Sequence, residues 1–327
     1  MILAGDIGGT KTVLSLLSKE PDGTRVCREE QSFASQDFSK FDDILEAFLP
    51  SGVKISVACF GVAGPIVNQR CQTTNLPWLL DAVELMQKLR TPQVKLLNDL
   101  EAMALGMLFL PEKDLLELNP NAQPQIGNIA VIAAGTGLGE AILYWDGDSH
   151  HPIATEGGHC DFAPQTIQQD MLLSYLRNIY PDHVSYERII SGLGFSHLYD
   201  FLCDHDFATA CLAVPELDDR TGGNDRNAII SRLGINGEDP LCAEAVRLFV
   251  ELYGAEAGNL ALKSLAVGGV FIGGGIAAKI LPAMQDGNFM QAFKAKGRFL
   301  QLLDKISVKL SLNPRTPLIG AINYFDR

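Results

Sequence analysis

Apolar runs broken by glycine, proline and acids set the order of elements at the start of the chain. Ile2 to Gly5 is a short apolar strand that stops at an acid, Asp6. Gly8-Gly9 turns the chain, Thr12 to Leu17 returns as the second arm of a hairpin, and Pro21-Asp22-Gly23 is a further turn. Phe41, Ile44, Leu45 and Phe48 fall at i, i+3, i+4 and i+7, so this segment is an amphipathic helix, stopped by Pro50-Ser51-Gly52. Lys54 to Val62 predicts a strand ended by Gly64-Pro65, and Leu79 to Leu89 predicts a helix. Val94 to Leu97 predicts a strand ending at Asn98-Asp99, and Leu100 to Leu110 a helix that Pro111 ends. Strands and helices alternating in this way make an α/β unit built around a sheet.

The second half repeats part of the theme. Ile129 to Ala133 is apolar and β-prone, and Gly135-Thr136-Gly137-Leu138-Gly139 follows it. Ala141 to Tyr144 returns, and Asp146-Gly147 closes a turn. Asp170 to Tyr180 and Ala243 to Leu265 predict helices. Val270 to Ile272 is a buried strand ending at Gly273-Gly274-Gly275, with a helix beyond. Ile306 to Leu310 predicts a last strand and Pro317 to Phe325 a last helix. The polar, glycine-rich stretch from Asp204 to Asn227 predicts a surface excursion.

Composition narrows the function classes. The 327 residues are 47% hydrophobic and 20% charged, as in an ordinary folded protein with enough chain for a sizeable core. With 39 acidic against 26 basic residues the net charge is −13, and no basic run reaches three. Such a field repels phosphate backbones and anionic headgroups, which argues against nucleic-acid and membrane partners. The N-terminus has neither a basic n-region nor a long apolar h-region, and the stretch from Leu265 to Ala278 holds too many glycines to span a bilayer. Seven cysteines with no CxxC suit free thiols in a reducing, cytoplasmic setting. His150, His151, His159 and Cys160 match no zinc spacing.

Several segments carry candidate chemistry, each with a plainer alternative. In Asp6-Ile7-Gly8-Gly9-Thr10-Lys11-Thr12, glycines at a hairpin let backbone N–H groups approach an anion, and Asp6 is placed to face a metal ion. The plainer alternative is a hairpin turn with a solvated acid. The segment is not a Walker A loop, because Thr10 and not glycine precedes Lys11. Gly135-Thr136-Gly137 is a second cradle, and the strand that follows it excludes a dinucleotide fingerprint. Gly273-Gly274-Gly275 suits either a flat ligand passing close by or tight strand–helix packing. Asn98-Asp99 offers a carboxylate base with a neighbouring amide, or a helix cap. Glu156, His159 and Glu187 can exchange hydrogen bonds with a polyhydroxylated ligand, or lie on solvated surface.

Taken together, DIGGTKT, LLND, GTGLG, EGGH, ERIISG and IGGG, in that order, resemble the bacterial glucokinase family over almost the whole chain. Val62 to Ile66 and Thr74 to Trp78 are similar to its sugar-side loop. The resemblance implies a two-domain actin-like, ribonuclease-H-like α/β ATPase fold with a nucleotide and sugar cleft between the domains. It places the smaller domain at 1–110 plus 314–327 and the larger at 111–313.

It also implies ATP-dependent phosphorylation of glucose at the 6-hydroxyl, with Mg²⁺ as cofactor and a homodimer as the assembly. By resemblance Asp99 is the base, and Asn75, Asn98, Glu156, His159 and Glu187 bind the sugar with it. Gly8, Gly9, Thr10, Lys11, Gly135, Thr136, Gly137, Gly273 and Gly274 line the nucleotide, and Asp6 sits near Mg²⁺. After His159 the chain runs Cys160-Asp161-Phe162-Ala163-Pro164. It therefore lacks the cysteine-rich zinc loop of the related repressor/ORF/kinase group. Two other readings stay open at the level of sequence: a kinase for another hexose or an amino sugar, and a non-catalytic nucleotide switch of the actin type. A switch needs no sugar base, so the Asn98-Asp99 and Glu156-His159 pairs count against it.

Overall fold

The computed structural model describes residues 1–73, 76–217 and 226–326. The chain opens with β1 (Ile2–Ile7), β2 (Lys11–Lys19) and β3 (Arg25–Ala34), followed by α1 (Phe41–Phe48) and β4 (Val57–Val62). A small hairpin, β5 (Arg70–Gln72) and β6 (Leu79–Asp81), leads into α2 (Ala82–Leu89), β7 (Val94–Asn98) and α3 (Asp99–Met107). Then come β8 (Leu115–Glu117), β9 (Ile129–Ala134), β10 (Leu138–Trp145), β11 (His150–Ala154), α4 (Ile167–Ile179), α5 (Gly192–Asp204), α6 (Arg226–Ile235) and α7 (Pro240–Ser264). The remainder is β12 (Gly269–Gly273), α8 (Gly275–Lys279), α9 (Leu281–Met284), α10 (Asn288–Lys294), α11 (Leu300–Leu303), β13 (Val308–Ser311) and α12 (Thr316–Asn323).

The chain divides into two compact units. Unit 1 comprises Met1–Asp114, Asn313–Arg327 and the short piece His151–Ala154; unit 2 comprises Leu115–His150 and Thr155–Leu312. The sheet of unit 1 has the order β3-β2-β1-β4-β7. Its central parallel members β1 and β4 are apolar and almost wholly buried, as strands covered on both faces must be, whereas β7 at the edge buries only Leu96 and Leu97. The register sets Asp6 beside Gly61 and Val62 beside Asn98, so Asp6 of β1 and Asp99, which follows β7, lie at the same end of the sheet. On the helical side α12 lies against α3 at two glycines. A Cβ at Gly106 would overlap the Thr316 carbonyl, and one at Gly320 the Ala102 carbonyl.

The second sheet has the order β11-β10-β9-β12-β13-β8, of which the strands from β10 to β8 lie in unit 2. The long helix α7 starts at an Asp239 cap that accepts the Cys242 N–H, with Pro240 in the first turn. It runs through the unit's core, where Phe249 stacks on Phe195 at 4.1 Å between ring centroids. Each unit keeps its own apolar cluster: Phe41, Phe60 and Trp78 in one, Phe195, Phe249 and Phe289 in the other.

One expectation from the sequence changes, and one strand carries no signal in the sequence pattern. The segment from Leu79 begins as a strand, and its helix starts at Ala82, where Asp81 caps the Val83 N–H at 2.8 Å. β3 is an edge strand whose residues from Cys27 to Ser32, with Arg28, Glu29 and Glu30 among them, are exposed on both faces, so it has no apolar alternation to betray it. The polar excursion begins at the last residue of α5 and ends in the first turn of α6, and its residues 218–225 lie outside the described residues. Among the described residues, no helix is long and apolar enough to cross a membrane.

Candidate active site

In unit 1 the site residues gather where β1 and β7 end. Asp6 leads into the β1–β2 turn, in which the Gly8 N–H donates to the Lys11 carbonyl at 3.0 Å. The turn is gripped from inside by Ser35, which the sequence did not single out. Its hydroxyl donates to the Gly8 carbonyl at 2.7 Å, and its backbone N–H donates to the Thr10 carbonyl at 3.0 Å. Ser35 Oγ also lies 2.9 Å from Thr12 Oγ1. Thr10 and Lys11 turn their side chains outward.

Asn98 caps α3 and also fixes a loop. Its Oδ1 accepts the Leu100 N–H at 2.9 Å, and the Glu101 carboxylate accepts the Asn98 N–H at 2.9 Å, a complete capping box. Its Nδ2 donates to the Gly64 carbonyl at 3.0 Å, which ties down the turn after β4. Of the two sequence readings of this pair the structure shows the cap, and that cap holds Asp99 at the strand end. Asp99 Oδ1 accepts the Leu100 N–H at 2.9 Å and stays half-buried. Asp6 and Asp99 feel one another's charge. Burial first, and the Asp99 carboxylate second, push the Asp6 carboxyl up to about 6, against the opposing pull of Lys11. Asn75 lies outside the described residues.

In unit 2 the other candidates form a second constellation. The Gly135 N–H donates to the Gly137 carbonyl at 2.8 Å, and the Gly135 carbonyl accepts from Gly192, the first residue of α5, at 2.8 Å. Thr136 is exposed at the tip. Gly274 has φ +81°, and a Cβ there would overlap the Ala134 backbone, so the β12 loop passes hard against the end of β9. The buried Tyr253 hydroxyl accepts the Ala134 N–H at 3.1 Å and lies 3.4 Å from the Gly273 carbonyl, linking the roots of both glycine loops.

Glu156 precedes a tight turn, Gly157–His159, and both Glu156 and His159 are exposed. Glu187 is half-buried. One of its oxygens lies 3.9 Å from His159 Nδ1, and the other accepts the Leu138 N–H at 3.0 Å. A Cβ at Gly137 would overlap that carboxylate, which gives this glycine its reason.

Among the described residues no group of three His, Cys, Asp or Glu is placed to hold a metal ion. A magnesium ion carried by nucleotide phosphates needs only one or two protein carboxylates. Asp6 fits that need, since a cation beside it offsets both causes of its raised pKa.

A family model for Glucokinase matches residues 3–327. A curated glucokinase from Nostoc sp. is 40% identical, the match covering 98% of this chain and 97% of the relative. The crystal structure of a glucokinase from an Antarctic psychrotroph superposes with a TM-score of 0.86 at 32% identity, covering 99% of this chain and 98% of that one. A ROK family glucokinase from Streptomyces griseus, solved with glucose and AMPPNP, has a TM-score of 0.62 at 20% identity over 99% and 98% of the two chains, and shares the fold.

Proposed function

This chain belongs to the glucokinase family, and from that premise we propose that it transfers the γ-phosphoryl group of ATP to the 6-hydroxyl of glucose, giving glucose 6-phosphate and ADP. The likeness runs the full length of the chain and carries this reading. The acid held at the end of β7 gives it a mechanism.

In the proposed reaction the 6-hydroxyl oxygen attacks the γ-phosphorus, the bond to the bridging oxygen breaks, and ADP leaves with the electron pair. Asp99 takes the hydroxyl proton as the transition state forms. Asn98 orients the sugar beside it, and Glu156, His159 and Glu187 bind the other hydroxyls, with Asn75 assigned to the same role. Gly8, Gly9, Thr10 and Lys11 on one unit, and Gly135, Thr136, Gly137, Gly273 and Gly274 on the other, are the nucleotide residues. Backbone N–H groups in such loops stabilise charge on the transferred phosphoryl without having to reorganise. Mg²⁺, when bound with the nucleotide, would supply positive charge to the phosphate oxygens, and Asp6 is the residue proposed to hold it.

Support comes from the half-buried carboxylates and from the glycines whose missing side chains leave room for neighbouring groups. A cytoplasmic homodimer acting in glycolysis is the setting proposed with this activity. The test is a coupled assay with ATP and a panel of hexoses and amino sugars. Turnover led by glucose is expected. Turnover led by another sugar, or none with any of them, would overturn the assignment.

A further inference from the structure

Behind the Glu156–His159 turn of unit 2 lies a buried polar cluster that the mechanism does not use. Glu140 on β10 and Glu256 on α7 are 1% and 0% exposed. The Lys263 ammonium donates to Glu256 Oε1 at 3.1 Å, and Asn259 Nδ2 donates to Glu256 Oε2 at 2.8 Å. Glu140 faces Glu256. Among the described residues no donor reaches Glu140 Oε1, which is buried.

This cluster touches both segments that bear the sugar-side residues. A Cβ at Gly157, next to Glu156, would overlap Glu140 Oε2, so the turn lies directly on that carboxyl. Thr155 Oγ1 donates to the Glu140 carbonyl at 2.9 Å and accepts the Gly157 N–H at 3.2 Å. On the other side Asn259 Nδ2 donates to the Tyr186 hydroxyl at 3.1 Å, and Tyr186 is the neighbour of Glu187. The Tyr186 N–H donates to the Cys160 carbonyl at 3.1 Å, fastening the two segments together.

We propose that Glu140 and Glu256 are positioning residues for the sugar, a buried pair that sets the height of the Glu156–His159 turn and of Glu187. The proposal rests on the sugar-side reading given above. Lys263 and Lys296 both face Glu256, but of the two only Lys263 acts on Glu140, so burial beside a second carboxylate favours a proton on Glu140. Burial, followed by the Glu256 charge and relieved in part by Lys263, pushes Glu140 up to about 8. The other groups facing the pair are Tyr253 against Glu140, Tyr186 and Lys296 against Glu256, and Cys160 against Lys263. At neutral pH Glu140 therefore holds the proton and the turn rests on a neutral carboxyl. When the proton leaves, the two carboxylates repel and the turn above them shifts.

The test compares KM for glucose and KM for ATP, from neutral to alkaline pH, in wild type and Glu140→Gln. In wild type, KM for glucose is expected to rise by up to about tenfold per pH unit above about 8, and KM for ATP to rise less, since of the three sugar-side residues only Glu187 also reaches the phosphate loop. Glu140→Gln keeps a neutral side chain of the same shape, so its KM for glucose should stay near the neutral wild-type value throughout. A merely structural cluster would move kcat, both KM values and the melting temperature together. The same alkaline rise in the variant, or a flat profile in wild type, overturns the proposal. Should the variant fail to fold, the rise in wild-type melting temperature given by glucose is measured on both sides of pH 8. Protection that shrinks above that pH supports the pair, and undiminished protection overturns it. Absence of any glucose turnover at neutral pH overturns the sugar reading itself, and the proposal with it.

Discussion

Glu187 and Leu138 are joined by a hydrogen bond of 3.0 Å in which the carboxylate of one accepts the backbone N–H of the other. Leu138 directly follows the Gly135–Gly137 turn, and the second Glu187 oxygen lies toward His159. One side chain thus reaches the residues assigned to phosphate and those assigned to sugar, all within unit 2.

Glu187→Ala should therefore raise KM for ATP as well as KM for glucose, whereas Glu156→Ala should raise KM for glucose alone. Losing a hydrogen bond to a charged group costs about 1.5–3 kcal/mol, or about tenfold to a hundredfold in affinity. Initial-rate kinetics with each substrate varied in turn separate the two variants. Identical patterns would break the link between the loops.

Asp99→Asn should lower kcat by about 10²–10⁴-fold, the usual range for a lost general base. The amide keeps an oxygen for the Leu100 N–H, so the melting temperature and glucose affinity should stay close to wild type. A kcat within a few-fold of wild type would remove Asp99 from the role.

Gly274→Ala should destabilise unit 2. Its φ of +81° with ψ of 163° lies in a region that essentially glycine alone occupies, at a cost of about 1–3 kcal/mol for a side chain, and the overlap with the Ala134 backbone adds to that. Gly135→Ala, where a Cβ would meet nothing within 4 Å, is the matched control. Denaturant midpoints for the pair check this, and equal midpoints would refute it.

The raised pKa of Asp6 has a signed consequence. The folded value of about 6 exceeds the ordinary 3.8, so folding favours the protonated acid. The stability it contributes is present below 3.8 and is lost as pH rises through about 6. Asp6→Asn should therefore gain on wild type in stability as pH climbs across that window. Parallel stability–pH curves would show that Asp6 is not buried with its proton in the way described.

Residues whose pattern is local were legible in the sequence. The α1 periodicity, the apolar β1, β4 and β7, and the glycine turns all follow from neighbours along the chain. The acids at strand ends were visible because an apolar run that halts at Asp6 or at Asn98-Asp99 is a local event. Ser35, Tyr253, Glu140 and Glu256 were not visible, because each acts through a partner far away in sequence. Glu256 reads as one more charge on a long helix until the fold buries it. The strand β3 escaped because its residues from Cys27 to Ser32 are exposed on both faces. The start of α2 was misplaced because Leu79 and Leu80 suit a strand and a helix equally well.

The glycine contacts between α3 and α12 also bear on the order in which the chain is made. The last helix lies against an early one, with the whole of unit 2 between them in sequence. Domains generally fold N-terminal first as they emerge from the ribosome. Here α12 is made only after the residues of unit 2, which end at Leu312, so unit 1 waits for the whole of unit 2 before α12 can join it. While unit 2 is being made, the glycine face of α3 that α12 covers in the folded protein stays without its partner.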